Sequence, residues 1–93
     1  MVTFADIAEY LYEECQYAES DGKEVYPLYK KEFQKYLLIE HGITDSRTVN
    51  SYWKNILLLE CHVTTSVTNN GVILDVPSIL NVCGRIIARK KKK

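Results

Sequence analysis

Apolar residues recur at steps of three and four along the first sixty positions, the spacing of a helix with one buried face. The first stripe follows Thr3, which can cap a helix, with Asp6 in the capping-box position. The second stripe follows Pro27, a residue suited to a first helical position, and runs to about His41. The first stripe consists of Phe4, Ile7, Ala8, Leu11, Cys15 and Ala18. In the second, the helical spacing is given by Leu28, Tyr29, Phe33, Tyr36 and Leu37 and is continued by Glu40. The pattern predicts two helices separated by a turn at Asp21-Gly22.

A third helix is predicted only a few residues after the second. Gly42 can end the second helix in a left-handed cap, with Ile43 packing back on its last turn. Thr44 or Asp45 can then cap the third helix. Its buried side is predicted to be Val49, Tyr52, Trp53, Ile56 and Leu57. Two helices joined by a short glycine turn are typical of the helix-turn-helix, whose second helix enters the major groove of DNA.

After Glu60 the apolar period changes from helical to two. The alternating residues are Val63, Thr65 and Val67, then Val72, Leu74 and Val76. Asn70-Gly71 lies between them, and this dipeptide favours a two-residue hairpin turn in which both residues have positive φ. Such a turn places Asn69 opposite Val72, Val67 opposite Leu74 and Thr65 opposite Val76. This register collects the apolar side chains on one face, so it predicts a β-hairpin.

The last segment starts at Pro77 and Ser78, and its apolar residues again fit a helical stripe: Ile79, Val82, Cys83, Ile86 and Ile87. We expect a helix over residues 79–88, with a third strand as the alternative, and a basic tail over 89–93 that frays. The expected fold is α+β, mainly α: a winged helix-turn-helix with three helices, a β-hairpin wing and a C-terminal helix. Residues 1–93 are too few for more than one domain.

The charge is zero in total but is unevenly distributed. Residues 1–24 hold seven acids and one base, whereas residues 61–93 hold six bases and one acid. Attraction to phosphate depends on the charge of the local face rather than on the total. Neutrality therefore does not exclude a nucleic-acid partner. Apolar runs are too short to suggest a membrane partner, and no signal peptide is visible, so we expect a cytoplasmic protein.

Neither metal binding nor catalysis is indicated by the residue pattern. Cys15, Cys61 and Cys83 are widely spaced and form no CxxC pair, so they are interpreted as reduced, mostly buried thiols. Cys61 and His62 are neighbours on a predicted strand, where their side chains point to opposite faces. We expect no enzyme, cofactor or metal. The aromatic residues fall mostly on buried stripes, which argues against base stacking in single-strand binding.

The outward face of the third helix carries the candidate chemistry. Its residues are Arg47, Asn50, Ser51 and Lys54 at steps of three and four, with Asn55 at the margin. Arginine can donate twice to guanine, asparagine pairs with adenine, and lysine reaches phosphate or guanine. No acid occurs between residues 46 and 59, whereas a solvated helix face usually mixes acids with bases. This face is therefore predicted to bind double-stranded DNA.

Further contacts are expected where helices begin, because helix N-termini favour phosphate. They are Tyr29, Lys30 and Lys31 at the second helix and Thr44 and Ser46 at the third. Asn69 and Asn70 would lie at the wing tip, near the minor groove or the backbone. The tip carries no arginine or lysine, so minor-groove insertion is not expected, and a plain turn is the alternative. The basic segment 85–93 either adds phosphate contacts or serves as a solubilising end.

With the segments DSRTVNSYWKNILLLECHV and TTSVTNNGVILDV, the chain resembles winged helix-turn-helix proteins of archaeal plasmids and viruses. It is most similar to the AspA type, the site-binding proteins of plasmid partition cassettes, over roughly residues 3–76. That resemblance implies a homodimer that binds a centromere-like DNA site and spreads along neighbouring DNA. It also implies a nucleoid- or plasmid-associated location and a ParB-like adaptor as partner, linked to a ParA-type ATPase.

Two other functions fit the same pattern. One is a transcriptional repressor of an archaeal plasmid or virus. The other is a winged helix that binds only proteins, through its acidic first helix and apolar last segment. The apolar C-terminal stripe also predicts the homodimer independently, because a monomer of this size is not expected to cover it fully.

Overall fold

The computed structural model describes residues 3–63, 68 and 70–91. In chain order the elements are α1 (Phe4–Ser20), β1 (Val25–Tyr29), α2 (Lys30–His41), α3 (Ser46–Leu58), β2 (Gly71–Asp75) and α4 (Val76–Lys91). Four helices and a two-stranded antiparallel sheet confirm the α+β, mainly helical class. This order is compatible with a winged-helix layout. Within the described ranges, no helix is both long and apolar enough to cross a membrane.

Helix α1 begins at the predicted cap. The backbone N–H of Thr3 donates to the Asp6 carboxylate over 2.8 Å, which is one half of a capping box. Its predicted stripe is buried except for Phe4, which is half-buried. The long partner of α1 is α4, and the two helices approach closely at Gly84, where an added Cβ would lie 3.4 Å from the Tyr12 ring. The α1–α4 pair forms one side of the core.

Strand β1 corrects the prediction that Pro27 opens a helix. Pro27 lies in the middle of β1, opposite Ile73 of β2. The Glu24 carbonyl accepts from the Val76 N–H over 3.0 Å, and the Lys30 N–H donates to Asn70 over 2.8 Å. Even-numbered residues of β1 therefore bond to β2, and the proline nitrogen faces the opposite edge. The missing N–H costs no ladder hydrogen bond, which is why an edge strand accepts this proline.

Helix α2 consequently begins at Lys30, with Tyr29 as its N-cap, while Leu28 belongs to the strand. Its other end is as predicted. Gly42 adopts a left-handed conformation (φ 65°) and donates to Leu38, while Ile43 donates to Leu37 over 3.1 Å. The Gly42 bond is that of the αL capping motif, which stops the helix and turns the chain.

Helix α3 starts four residues after α2 ends. Of the two candidate caps, Asp45 is the one used, since its carboxylate accepts from the Arg47 N–H over 3.0 Å. Val49, Trp53 and Ile56 are buried, as predicted, and the other two residues of the stripe are half-buried. The short glycine turn and the capped third helix thus agree with the sequence-based prediction.

One hydrophobic cluster joins all six elements. Phe33 lies within it, with its ring centre 5.8 Å from that of Trp53 and 6.4 Å from that of Tyr10. The buried members are Ile7, Ala8, Leu11, Cys15, Ala18, Leu28, Phe33, Leu37, Val49, Trp53, Ile56, Cys61, Val72, Leu74, Val76, Ile79 and Cys83. Phe33 therefore links α1, α2 and α3, and it supports α3 from behind.

The predicted hairpin is wrong in its turn and its register. Leu74 lies opposite Tyr26 on one side and His62 on the other, rather than opposite Val67. Neither Asn70 nor Gly71 has a positive φ, and Gly71 is the first residue of β2. Val76 begins α4, so it is not available to face Thr65. Residues 64–67 and Asn69 lie outside the described residues.

The last segment forms a helix, α4, rather than the alternative third strand. It starts earlier than predicted, at Val76, because the Asp75 carboxylate accepts from the Ser78 N–H over 3.3 Å and caps it. It also continues to Lys91, so residues 89–91 belong to the helix and not to a frayed tail. Arginine and lysine are good helix formers, and cations are stabilising near a helix C-terminus.

The three cysteines are buried and form no disulfide, as predicted. Burial raises the pKa of Cys15 and of Cys83 to about 12, and burial also raises the pKa of Cys61. Thiols held neutral in a core behave as small apolar residues rather than as nucleophiles. Among the described residues, no group of three histidine, cysteine or acidic side chains is placed to hold a metal ion.

Candidate nucleic-acid interface

Helix α3 turns a polar face away from the core. Arg47, Asn50, Ser51 and Lys54 are all exposed, and they lie one turn apart along the helix. The apolar residues on the other side of α3 are held against Phe33 and the rest of the core. The polar and apolar residues of α3 thus lie on opposite faces, so a partner can contact the polar face without disturbing the packing of the apolar one.

These four side chains line one groove, here called the α3 groove. Lys30 of α2 and Thr68 complete its polar lining, and Trp53 and Leu57 form its apolar part. Among the described residues that line the α3 groove, none carries a carboxylate. The groove is therefore a row of hydrogen-bond donors and positive charges, a lining complementary to phosphate and to the acceptor edges of bases.

A second groove adjoins the first at the start of α2, and it is here called the α2 groove. Lys30 and Asn50 line both, so the two grooves are continuous. The α2 groove is lined by Tyr29, Lys30, Lys31, Glu32, Gln34, Ser46, Val49, Asn50 and Asn70. Glu32 is the only acid in this lining. The polar surface thus extends from α3 across the N-terminus of α2 to the turn before β2.

The N-terminus of α2 places three predicted residues together. Tyr29 is the N-cap and is 55% exposed, and Lys30 and Lys31 are the first two helical residues. The prediction that they open the second helix therefore holds, although this helix starts three residues later than expected. At this end of α2 the positive helix dipole adds to the two ammonium charges.

The turn before β2 is built on Thr68. Its hydroxyl oxygen accepts from the N–H of Asn70 (3.2 Å) and of Gly71 (3.1 Å), and its own N–H donates to Gly71 (3.0 Å). Gly71 is needed here, since an added Cβ would lie 2.8 Å from the Leu28 carbonyl oxygen. This arrangement holds Asn70 beside the start of α2, while its predicted companion Asn69 lies outside the described residues.

Nine of the twelve predicted contact residues line the two grooves: Tyr29, Lys30, Lys31, Ser46, Arg47, Asn50, Ser51, Lys54 and Asn70. Thr44 lines neither, and it lies in a separate groove near the α2–α3 turn. Asn55 also lines neither and is half-buried. Gln34 and Thr68 were missed by the sequence reasoning. Gln34 lies one helical turn after Lys30, and this spacing could have indicated it. The position of Thr68 depends on a turn that is visible only in the three-dimensional structure.

Four of the seven acids of residues 1–24 face a different groove, between α1 and α2. It is lined by Asp6, Glu9, Tyr10, Glu13, Glu14, Tyr36, Glu40 and His41. The Tyr10 and Tyr36 rings stack there with their centres 3.9 Å apart. Burial and then the neighbouring carboxylates raise the pKa of both phenols to about 12. This acidic groove shares no lining residue with the α2 or α3 groove, so the acidic and the basic surfaces are separate.

No protein-family model, curated protein or solved structure matches the chain. The functional interpretation therefore depends on the arrangement of the residues themselves.

Proposed function

We propose that this protein is a winged helix-turn-helix that binds double-stranded DNA and presents α3 to the major groove. The observation that carries the proposal is the α3 groove, in which Arg47, Asn50, Ser51 and Lys54 lie with Lys30 and without a carboxylate. A B-DNA major groove admits one α-helix, and arginine and asparagine are the side chains that read guanine and adenine there.

In this proposal the surface divides into base-reading and positioning contacts. Arg47 and Asn50 reach base edges, and Ser51 is short enough to let the helix backbone approach. Lys30 and Lys31 contact phosphates beside α3, at the N-terminus of α2. The half-exposed Tyr29 and Asn70 extend this contact toward the turn before β2.

Substitution on α3 tests these roles. Arg47→Ala or Asn50→Ala is expected to lose about 1–3 kcal/mol for a duplex selected from a random library, with folding retained because both residues are exposed. Fluorescence anisotropy with the labelled duplex measures the loss. Lys23→Ala, which removes an exposed positive charge, and Asn81→Ala, which truncates an exposed asparagine, are the matched controls, since both residues lie away from the two grooves. Equal affinity of all four variants and the parent would refute the assignment.

For the biological role we propose the plasmid-partition function that the resemblance implies, with a homodimer on a centromere-like site and a ParB-like adaptor. Repression is the alternative. Footprinting separates them, because protection that grows outward with protein concentration favours partition and a fixed operator footprint favours repression. The apolar stripe on α4 gives the homodimer little support, since Ile79 and Cys83 are fully buried within the monomer.

A module that binds only proteins is the second candidate, and the acidic groove between α1 and α2 is the observation that favours it. A titration at low salt distinguishes the two functions, since phosphate contacts are strongest there. Failure to bind any duplex at low salt would favour the protein-binding module.

A further inference from the structure

A further groove lies on α2 beside the α2–α3 turn, and it is here called the Leu38 groove. It is lined by Lys31, Gln34, Lys35, Leu38, Ile43 and Thr44. Leu38 is 50% exposed, although it is a large apolar side chain, and Ile43 beside it is half-buried. Lys31 and Lys35 are exposed along the rim. The groove therefore combines an apolar floor with two positive charges, a chemistry that fits an apolar side chain flanked by carboxylates.

A surface with that chemistry occurs at the end of α1. Tyr17 is 71% exposed, one of the most exposed large hydrophobic side chains of the described chain. Glu13 lies one helical turn before it and Asp21 one turn after it, and both are exposed. Tyr17 takes no part in the core cluster or its partly buried margin. The end of α1 thus presents an aromatic ring between two carboxylates.

We propose that the Tyr17 surface of one copy docks into the Leu38 groove of a second copy. The tyrosine ring packs against Leu38 and Ile43, and Glu13 and Asp21 face Lys31 and Lys35. We choose a second copy as the occupant because of charge complementarity. The Tyr17 surface is flanked by acids, the Leu38 groove is flanked by lysines, and both are present on this chain. Tyrosine is enriched among the hot-spot residues that contribute most of the binding energy at protein interfaces.

The two surfaces are different, so the contact is head-to-tail rather than symmetric. A docked pair leaves one groove and one Tyr17 surface open, and such contacts build either a ring or an open chain of copies. The contact does not require DNA. Lys31 lines both the Leu38 groove and the α2 groove, so this contact and the proposed DNA contact share one side chain. Tyr17 and Leu38 lie outside the α2 and α3 grooves, so failure of this contact and failure of DNA binding are distinguishable.

Sedimentation velocity without DNA tests the contact over protein concentrations from about 5 µM to about 500 µM. The parent is expected to show a sedimentation coefficient that rises with concentration and falls back as salt is added. Tyr17→Lys and Leu38→Glu each weaken the association by about tenfold or more, because each removes the apolar contact and places a charge in its way. Both residues are exposed, and circular dichroism verifies that both variants fold.

Mixing the two variants gives the sharpest result. Tyr17→Lys keeps an intact groove and Leu38→Glu keeps an intact Tyr17 surface, so a 1:1 mixture is expected to form a heterodimer that grows no further. Ile39→Glu on α2 and Gln16→Lys on α1 are matched controls, which change exposed residues outside the contact and should associate like the parent. A parent that stays monomeric, a mixture that does not pair, or controls as defective as the variants would overturn the proposal.

Discussion

Phe33→Ala is expected to lower the free energy of unfolding by about 3–5 kcal/mol. Phe33 is fully buried, and its ring lies against those of Trp53, Tyr10 and Tyr36, so truncation leaves a cavity where α1, α2 and α3 meet. The total free energy of unfolding of a small domain is only about 5–15 kcal/mol. Urea denaturation followed by circular dichroism measures the loss.

Gln34→Ala provides the control for Phe33→Ala. Gln34 is the next residue of α2 and is exposed, so its truncation should change the unfolding free energy by no more than about 0.5 kcal/mol. A loss below about 1 kcal/mol for Phe33→Ala would mean that Phe33 is not the packing centre behind α3.

The second large effect is expected from salt. If three lysine or arginine side chains neutralise phosphates, the association constant for duplex DNA falls about fortyfold between about 50 mM and 200 mM salt. Lys30→Ala should reduce the slope of log K against log salt by about 1 while leaving base preference unchanged, because a lysine on α2 contacts phosphate rather than base edges. Anisotropy titrations at several salt concentrations measure both slopes.

Lys23→Ala is again the matched control, since Lys23 is exposed in the turn after α1 and lies in neither groove. Its slope should equal that of the parent. An affinity independent of salt, or equal changes in the two lysine variants, would contradict the placement of phosphates along the N-terminus of α2.

The exposed polar face of α3 was predictable because its signals are local. The turn at Gly42, the cap at Asp45 and the stripe through Trp53 lie within some twenty residues, and each has a specific conformational cause. The absence of acids from residues 46–59 is likewise visible in the sequence. Together these local signals predicted which side of α3 faces outward, and the structure agrees with that prediction.

Strand β1 was missed because its residues also fit a helix. Leu28 and Tyr29 continue the apolar spacing of α2 toward its N-terminus, and Pro27 suits a first helical position as well as an edge strand. The choice depends on β2, which lies more than forty residues away and pairs with the even-numbered residues of β1. No local pattern contains that information.

The hairpin was mispredicted for a similar reason. Asn70-Gly71 is a strong turn signal when considered alone, but the close approach of the Leu28 carbonyl accounts for the glycine, and the Thr68 hydroxyl shapes the turn. Both contacts are set by the packing of β1 against β2. The contribution of Thr68 to the α3 groove therefore became visible only in the structure.

The central claim is that α3 meets the major groove, and amide chemical-shift mapping of the labelled protein tests it most directly. On addition of a duplex at low salt, the largest changes are expected over residues 46–54, with further changes at Lys30, Lys31 and Asn70. The acidic face of α1, including Glu9 and Glu13, should stay unchanged. Changes concentrated on α1 or α4, with α3 unaffected, would contradict the account.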